Sequence, residues 1–429
     1  MIYMAGDNNL SQAGFEDIDE LCQIGSSDDT TFLVEFDSEG YYRETIRYEI
    51  SQPEADAKAH AIIRQKLGET DSGNPKTLAR FLEWGAQHYP AENYFLIIWN
   101  HGGGFKYRRI LEKLQVDPES QKYLLSNPRH NQPANRLYGL ARHTVFFHPE
   151  MLAEPLSLDT PMPHVRNIAW DDMTGNSLDL LEIRKTLLKV RKKQPNFNLA
   201  IIGFDACLMN MLEVAYQLRD LCGAVFGSEE TEPFAGWPYH KLAAFFAGNK
   251  GDFSLPELAK SHVKAYRDYY KLYPDEPITQ SVIAAAGLKD LASVFDQWAT
   301  LFSRLLSENL EVCLLIRHGV QTFTFGDYVD IGDLVKLTLE HLREKMPDHP
   351  LSVAMIPVTD QFFKFYEKTV LADVHRHRTV AHSTGLSLWF PNKRSLFTKS
   401  RKHYAKLEFS RDFPAWLNFL EALFKRLER

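Results

Sequence analysis

The first half of the chain alternates short apolar runs with segments whose apolar residues recur every three or four positions. Residues 94–99 and 198–204 are nearly continuous apolar runs, which are typical of strands buried on both faces of a parallel sheet. Periodic segments predict amphipathic helices, namely 11–24, 57–67, 75–88, 178–193 and 208–221. Repeated strand–helix units of this kind predict an α/β fold with a mostly parallel central sheet covered on both faces.

After about residue 250 the pattern becomes more helical. Helical periodicity extends over 255–273, 288–308, 331–345 and 414–427, and strand-like runs lie at 281–286 and 385–390. We therefore expect a core domain over residues 1–250 and a helical C-terminal part over residues 251–429. The C-terminal part is expected to pack on the core and to contribute additional strands.

Regular patterning is lost between residues 105 and 166. This stretch contains scattered prolines and many basic side chains, and its periodicity is weak. A loop of about 60 residues is unusual inside a compact domain and is either functional or mobile. We interpret 105–166 as an irregular insertion in the core domain.

The amino-acid composition and net charge argue against several classes of protein. The chain has 429 residues, 44% of them hydrophobic, and a formal net charge of −7. These values exclude global disorder and argue against a general nucleic-acid binder or a basic membrane-surface protein. No apolar run approaches the roughly 18–20 residues of a membrane span. Residues 1–5 are already strand-like and no signal peptide precedes them, so either the protein stays inside the cell or an export segment lies outside this sequence.

Two chemically active side chains follow the two continuous apolar runs. His101 comes just after the first run, and Cys207 comes just after the second. Binding sites of parallel α/β sheets form beyond the carboxyl ends of the strands, so His101 and Cys207 face one cleft if their strands are neighbours. An imidazole within hydrogen-bond reach can take the proton of a thiol and later protonate a leaving amine. The helix predicted after Cys207 would favour the thiolate through its positive N-terminal end.

Three glycines follow the histidine. Gly102 has no side chain to block a substrate carbonyl beside His101, and its N–H together with that of Cys207 could stabilise an oxyanion. Gly103 and Gly104 would allow the chain to turn sharply away.

Each of these signals also has a structural interpretation. A histidine at a strand end is often a residue with a purely structural hydrogen bond, and a cysteine after an apolar run is often a small buried hydrophobe. Asp205 could simply cap the following helix. The whole chain has four cysteines, which are too few for a disulfide scaffold. We therefore expect free thiols.

Other chemistries fit these residues less well than a His/Cys pair does. An H-G-G-G stretch opens the oxyanion loop of many esterases, but the G-x-S-x-G motif of their nucleophile is missing here. A phosphate-binding loop would need a glycine motif that this sequence lacks. The histidines His375, His377 and His382 have no carboxylate or cysteine partners at metal-ligand spacing, so we predict no metal site there.

The same residues resemble the clostripain-family cysteine peptidases, which belong to the broad clan of caspases, gingipains and legumains. The resemblance rests on Y-M-A-G-D-N-N-L at 3–10, I-W-N-H-G-G-G at 98–104, A-W-D-D at 169–172, F-D-A-C-L-M at 204–209, S-E-E-T-E-P at 228–233, G-W-P-Y at 236–239 and G-L-S-L-W-F-P at 385–391. It therefore extends over nearly the whole chain. The histidine and cysteine blocks are specific, and the others are supportive.

The resemblance implies a caspase-like α/β/α sandwich with a catalytic dyad of His101 and Cys207. It also implies cleavage after Arg or Lys, with acidic residues in the pocket that receives the basic side chain. Asp205 holds the matching position two residues before the nucleophile, and Glu232 is the second expected substrate-binding residue. Family members often mature by cutting themselves between the histidine and the cysteine, and some need calcium. Calcium is therefore a candidate cofactor, and the basic insertion is either a processing region or a solvated loop.

These observations lead to one main hypothesis and two alternatives. The main hypothesis is a monomeric cysteine endopeptidase that acts on peptides or proteins, cleaves after basic residues and processes itself. The first alternative is a catalytically inactive, caspase-like binding module. The second is an esterase-type hydrolase that uses the H-G-G-G loop.

Overall fold

The computed structural model describes residues 1–39, 44–54, 57–105, 168–324 and 326–427. Its strands are β1 Ile2–Gly6, β2 Leu33–Ser38, β3 Ile46–Ile50, β4 Ala61–Lys66, β5 Tyr94–Trp99, β6 Ile168–Asp171, β7 Asn176–Leu178, β8 Leu199–Asp205, β9 Ala224–Gly227, β10 Ile278–Ala284, β11 Tyr328–Asp330, β12 Val370–Arg376 and β13 Ser387–Trp389. Nine of them form one sheet in the order β12-β10-β9-β8-β5-β1-β2-β3-β4, while β6 pairs with β7 and β11 with β13.

The centre of the large sheet is parallel. Strands β2, β1, β5, β8 and β9 run in one direction, and antiparallel strands extend the sheet at both sides. The two continuous apolar runs of the sequence are β5 and β8, and they lie side by side in the middle of the sheet. A strand in this position has apolar neighbours on both faces, which explains the unbroken apolar pattern.

Helices cover both faces of this sheet. In chain order they are α1 Ser11–Ile24, α2 Pro75–His88, α3 Leu180–Lys193, α4 Leu212–Leu218, α5 Tyr239–Asn249, α6 Leu255–Tyr270, α7 Leu288–Glu308, α8 Leu310–Gly319, α9 Ile331–Lys345, α10 Pro350–Thr369, α11 Arg394–Tyr404, α12 Glu408–Asp412 and α13 Ala415–Arg426. Buried residues of α1, α5 and α6 form one core cluster with the sheet, and those of α2, α3, α4 and α7 belong to another. The predicted α/β/α sandwich with a mostly parallel central sheet is therefore confirmed.

One helix prediction is wrong, and another extends over too many residues. The segment 57–67 forms the edge strand β4, which pairs with β3, and its Ile63 is 50% exposed. The periodicity of so short a segment does not separate helix from strand, and pairing with β3 decides between them. The segment 208–221 is helical only over α4. Before α4, Leu208 has a positive φ of 63° and Met211 forms a β-bridge with Ser387, and neither conformation is helical.

The last third of the chain adds strands and helices to the same body. Strands β10 and β12 extend the large sheet, while β13 pairs with β11 outside it. One buried cluster contains residues from Tyr3 to Phe424. The domain boundary at residue 250 stays a prediction, and this cluster has members on both sides of it.

The predicted insertion 105–166 lies outside the described residues apart from Phe105. That residue is fully buried and packs edge-on against Trp389 and Tyr404, with ring centroids 5.4 and 5.1 Å away. Among the described residues, no helix is both long and apolar enough to cross a membrane.

Glu213 in α4 is a buried carboxyl group that connects the core to the C-terminal part. The backbone N–H of Trp389 donates to its Oε1 at 2.9 Å, and the hydroxyl of Tyr404 donates to the same atom at 3.0 Å. Burial raises the pKa of this carboxyl from 4.5 to about 7. The folded protein therefore favours the protonated form of Glu213.

Replacing Glu213 with Gln should change how the free energy of unfolding depends on pH. The contribution of the wild-type carboxyl is complete below pH 4.5 and is lost as the pH rises through about 7, because only the unfolded chain ionises easily. An amide cannot ionise, so the stability of Glu213→Gln relative to wild type should increase by up to about 3 kcal/mol between pH 4.5 and 8. Urea unfolding at several pH values measures this difference. A constant difference contradicts the prediction, and Glu16→Gln, at an exposed position, is the control for the lost charge.

Candidate active site

The strand register brings the histidine and the cysteine to one edge of the sheet. Trp99 at the end of β5 pairs with Asp205 at the end of β8. His101 and Cys207 each follow their paired residue by two positions, and both are buried, with 4% and 1% of their surfaces exposed. The expectation that the two strand ends are neighbours is therefore met by the structure.

Gly102 lies against the main chain of Cys207. A Cβ atom at position 102 would lie 2.9 Å from the backbone nitrogen of Cys207 and would overlap its carbonyl oxygen. A side chain at position 102 is therefore excluded by the backbone of the neighbouring strand end. This contact is a stronger reason for the glycine than free access for a substrate.

The surroundings of Cys207 disfavour its thiolate. Burial raises the pKa of the Cys207 thiol well above its ordinary value, and the nearby carboxyl groups of Glu232, Glu230 and Asp205 raise it further. The backbone N–H of Glu232, which donates to Sγ at 3.1 Å, acts in the opposite direction. The thiol at rest is therefore protonated and needs a base to lose its proton.

The prediction that a helix N-terminus stabilises the Cys207 thiolate is wrong. Helix α4 begins at Leu212, several residues after Cys207, and its N-cap residue is Met211. The positive end of a helix acts within about one turn, and Cys207 precedes the first turn of α4 by several residues. The alternative role of Asp205 as a helix cap is wrong for the same reason.

Asp205 and Glu232 form a buried pair of carboxyl groups beside the sulfur. Asp205 accepts hydrogen bonds from the hydroxyl of Tyr239 at 2.9 Å and from the backbone N–H of Trp237 at 3.3 Å. Glu232 Oε1 accepts from the indole N–H of Trp237 at 3.2 Å and from the amide of Gln280 at 3.4 Å. The structure thus brings together both acidic residues that the sequence predicted for substrate binding.

The two carboxyl groups share a hydrogen bond and titrate together. Burial raises the pKa of Asp205 to about 6, and hydrogen bonds from Tyr239, Trp237 and Glu232 oppose this rise in part. Burial and the charge of Asp205 raise the pKa of Glu232 well above its ordinary value. The raised pKa of Glu232 favours its protonated form, because two charges cannot share a dry site at low cost.

A third acidic residue lies near this pair, and the sequence analysis did not predict it. Asp17 lies on the buried face of α1 and accepts a hydrogen bond at 2.7 Å from the indole N–H of Trp99. Its pKa is raised well above its ordinary value by burial and then by the charge of Asp205. The available signal was a carboxylate on the apolar face of an amphipathic helix, between Gly14 and Ile18.

The histidine is held from the opposite side by the segment after β1. The Nε2 atom of His101 lies 2.8 Å from Oδ1 of Asn9, whose role the sequence analysis did not identify. The preceding Asn100 fixes the backbone, because its Oδ1 accepts from the N–H of Trp170 at 2.8 Å and its amide donates to the carbonyl of Ala5. The strand end that carries His101 is therefore attached to β1 and β6.

The described residues contain one group of carboxylates that could hold a cation. Oxygen atoms of Asp7, Glu69 and Asp171 lie within 4.8 Å of one another. Both buried members already accept backbone hydrogen bonds, Asp7 from Met173 at 3.2 Å and Asp171 from Ser72 at 3.0 Å. We assign no ion to this group, and the expectation about calcium stays a prediction.

Replacing Gly102 with Ala should displace the Cys207 sulfur and lower the free energy of unfolding. The new methyl group would collide with the backbone of Cys207, so we expect a loss of about 1–3 kcal/mol in the free energy of unfolding and a displaced sulfur. Gly248→Ala in α5 is the matched control, because its Cβ meets no atom within 4 Å and a helical glycine costs up to about 1 kcal/mol relative to alanine. Chemical unfolding and the rate of Cys207 alkylation measure the two effects. Equal behaviour of the two variants would show that the Gly102 contact is unimportant.

Comparisons with known proteins agree with this architecture. Clostripain from Hathewaya histolytica is 24% identical over 241 residues, which cover 51% of this chain and 35% of that protein. A secreted C11 cysteine protease from Bacteroides thetaiotaomicron, solved with an irreversible peptide inhibitor, superposes with a TM-score of 0.61 at 16% identity, covering 95% of this chain and 96% of that one. An inactive zymogen C11 protease from Parabacteroides distasonis gives a TM-score of 0.59 at 19% identity, with 96% of each chain covered. These likenesses show the fold.

The family profile extends over most of the sequence. The profile of the clostripain family, peptidase C11, matches residues 2–116 and 157–422. The interval between the two matched segments falls inside the predicted insertion. With matches on both sides of that interval and through the histidine and cysteine blocks, the chain belongs to the clostripain family.

Proposed function

We propose that this protein is a cysteine endopeptidase that cleaves peptides or proteins after Arg or Lys. One observation carries the proposal: His101 and Cys207 lie at adjacent strand ends, and the buried carboxyl pair of Asp205 and Glu232 lies beside the sulfur. Family membership supports the reaction type. The acidic pair supports the preference for a basic side chain, because a guanidinium or ammonium group compensates a buried negative charge.

The reaction begins with proton transfer from the thiol to His101. The thiolate of Cys207 attacks the carbonyl carbon of the scissile bond, and the backbone N–H groups of Gly102 and Cys207 donate to the resulting oxyanion. His101 then gives its proton to the leaving amine as the C–N bond breaks. Water, deprotonated by His101, attacks the thioester and releases the carboxylic acid and the free thiol.

The substrate itself assists the first step. A basic side chain that enters beside Asp205 adds a positive charge to the buried pocket. The negative potential that raises the pKa of the Cys207 thiol then falls. Binding of the correct side chain and activation of the sulfur are therefore coupled through the electrostatics of the pocket.

Self-processing belongs to the same proposal. The relative from Parabacteroides distasonis was solved as an inactive zymogen. The interval between His101 and Cys207 contains Lys and Arg side chains that this specificity would accept, including Lys106, Arg108 and Arg109. These residues lie outside the described part of the chain.

Replacing Cys207 with Ala should abolish cleavage of Arg and Lys reporter peptides, because the acyl-enzyme cannot form. Cys22→Ala, which removes a partly buried thiol on α1, should retain the wild-type rate. Initial rates on fluorogenic peptides measure both. Full activity of Cys207→Ala rejects the mechanism. Ester hydrolysis that survives this change would favour the esterase alternative, and a folded wild type that resists thiol-directed ketone probes would favour the inactive binding module.

Replacing Asp205 with Asn should weaken the preference for basic residues. The neutral amide cannot pair with a guanidinium group, so kcat/KM for an Arg reporter should fall by about 30-fold or more. A neutral reporter peptide assayed with the same variant is the internal control and should lose less, because it forms no ion pair in this pocket. Equal losses on both reporters would assign Asp205 a structural role only.

A further inference from the structure

Three neighbouring parallel strands each place one polar side chain at the edge where the proposed chemistry occurs. His101 follows strand β5, which lies between β1 and β8. Cys207 follows β8 on one side of it, and Asn9 follows β1 on the other. The contact between Asn9 Oδ1 and His101 Nε2, at 2.8 Å, therefore joins the histidine to the strand that does not carry the cysteine.

This contact has a consequence for the state of the imidazole. The amide oxygen of Asn9 is an acceptor, so the Nε2 atom of His101 must be the donor and carry the proton. In the neutral ring, Nδ1 is then the nitrogen that carries no proton. This is the tautomer that can accept a proton from a thiol through Nδ1, and the hydrogen bond at the other nitrogen selects it.

The segment that carries Asn9 is well anchored. The side-chain amide of Asn8 donates to the carbonyls of Ala5 and Trp170, both at 2.9 Å, and its oxygen accepts from the N–H of Leu10 at 2.9 Å. Asn8 is fully buried, whereas Asn9 is exposed. The turn thus presents Asn9 to the histidine while Asn8 maintains the fold, and a substitution at Asn9 should cost little stability.

An amide suits this position better than a carboxylate would. The groups facing Cys207 are already acidic, since Asp205, Glu230 and Glu232 all raise the pKa of the thiol. A further negative charge beside His101 would stabilise the imidazolium and raise the pKa of the base. A neutral acceptor orients the ring without adding charge to the site.

We propose that Asn9 is a positioning residue that fixes the tautomer and orientation of His101 for proton transfer with Cys207. The proposal rests on the peptidase activity put forward above. Asn9 acts through the histidine and has no contact of its own with the substrate in the mechanism.

The experiment compares Asn9→Ala and Asn9→Asp with Gln12→Ala, which removes an exposed amide at the start of α1. On an Arg reporter, Asn9→Ala should lower kcat by about 10- to 100-fold while KM changes less than about twofold, because ring orientation matters in the transition state. In Asn9→Asp, the acidic limb of the pH profile of kcat/KM should move to higher pH, since the carboxylate favours the charged imidazolium. Gln12→Ala should match wild type in both measurements.

The same variants separate this inference from the proposed function. If wild type cleaves the reporter and Asn9→Ala retains its kcat and pH profile, Asn9 is not a positioning residue. If wild type cleaves no reporter, the pH dependence of Cys207 alkylation by iodoacetamide replaces kcat as the readout. A profile shifted in both Asn9 variants then supports the inference, and a profile identical to wild type overturns it. Thermal unfolding of each variant controls for loss of the fold.

Discussion

The contact between Gly102 and the main chain of Cys207 is the constraint on which the arrangement of this site depends. Two parallel strands end in register, and the chains that leave them approach so closely that no side chain fits at position 102. This proximity brings the backbone N–H groups of Gly102 and Cys207, one from each strand end, close to each other. It also keeps the histidine and the sulfur at the same edge without any flexible loop between them and the sheet.

Electrostatics in this region act against the nucleophile at rest. The thiol is buried among carboxyl groups, and the first turn of α4 begins too far along the chain to offset them. If the substrate is basic, as we propose, this arrangement increases selectivity, because the substrate supplies the missing positive charge. In the proposed mechanism, the buried pair of Asp205 and Glu232 both recognises the substrate and assists activation of the sulfur. Such carboxyl groups also cost stability at neutral pH, as the raised pKa of Glu213 illustrates elsewhere in the core.

Several features could be predicted from the sequence because they depend on local patterns. Strands β5 and β8 are recognisable as unbroken apolar runs, and the reactive side chains follow them directly. The helix α2 has an N-cap asparagine, a proline in its first turn and regular apolar spacing. The edge strand β4 could not be predicted in this way, because its apolar residues are few and its pairing with β3 is a long-range interaction. The positive φ of Leu208, which delays α4, also depends on contacts with distant segments.

The sequence by itself determined the α/β class, the two strand ends and the identity of the residues on them. These features depend on side-chain chemistry and on periodicity within one segment. Only the tertiary structure decided that Asn9 meets His101, that Asp17 lies near Asp205, and that Asp205 and Glu232 form one buried carboxyl pair. Each of these relations joins segments far apart in the chain. The strand order and the register of the sheet, which no local pattern specifies, bring those segments together.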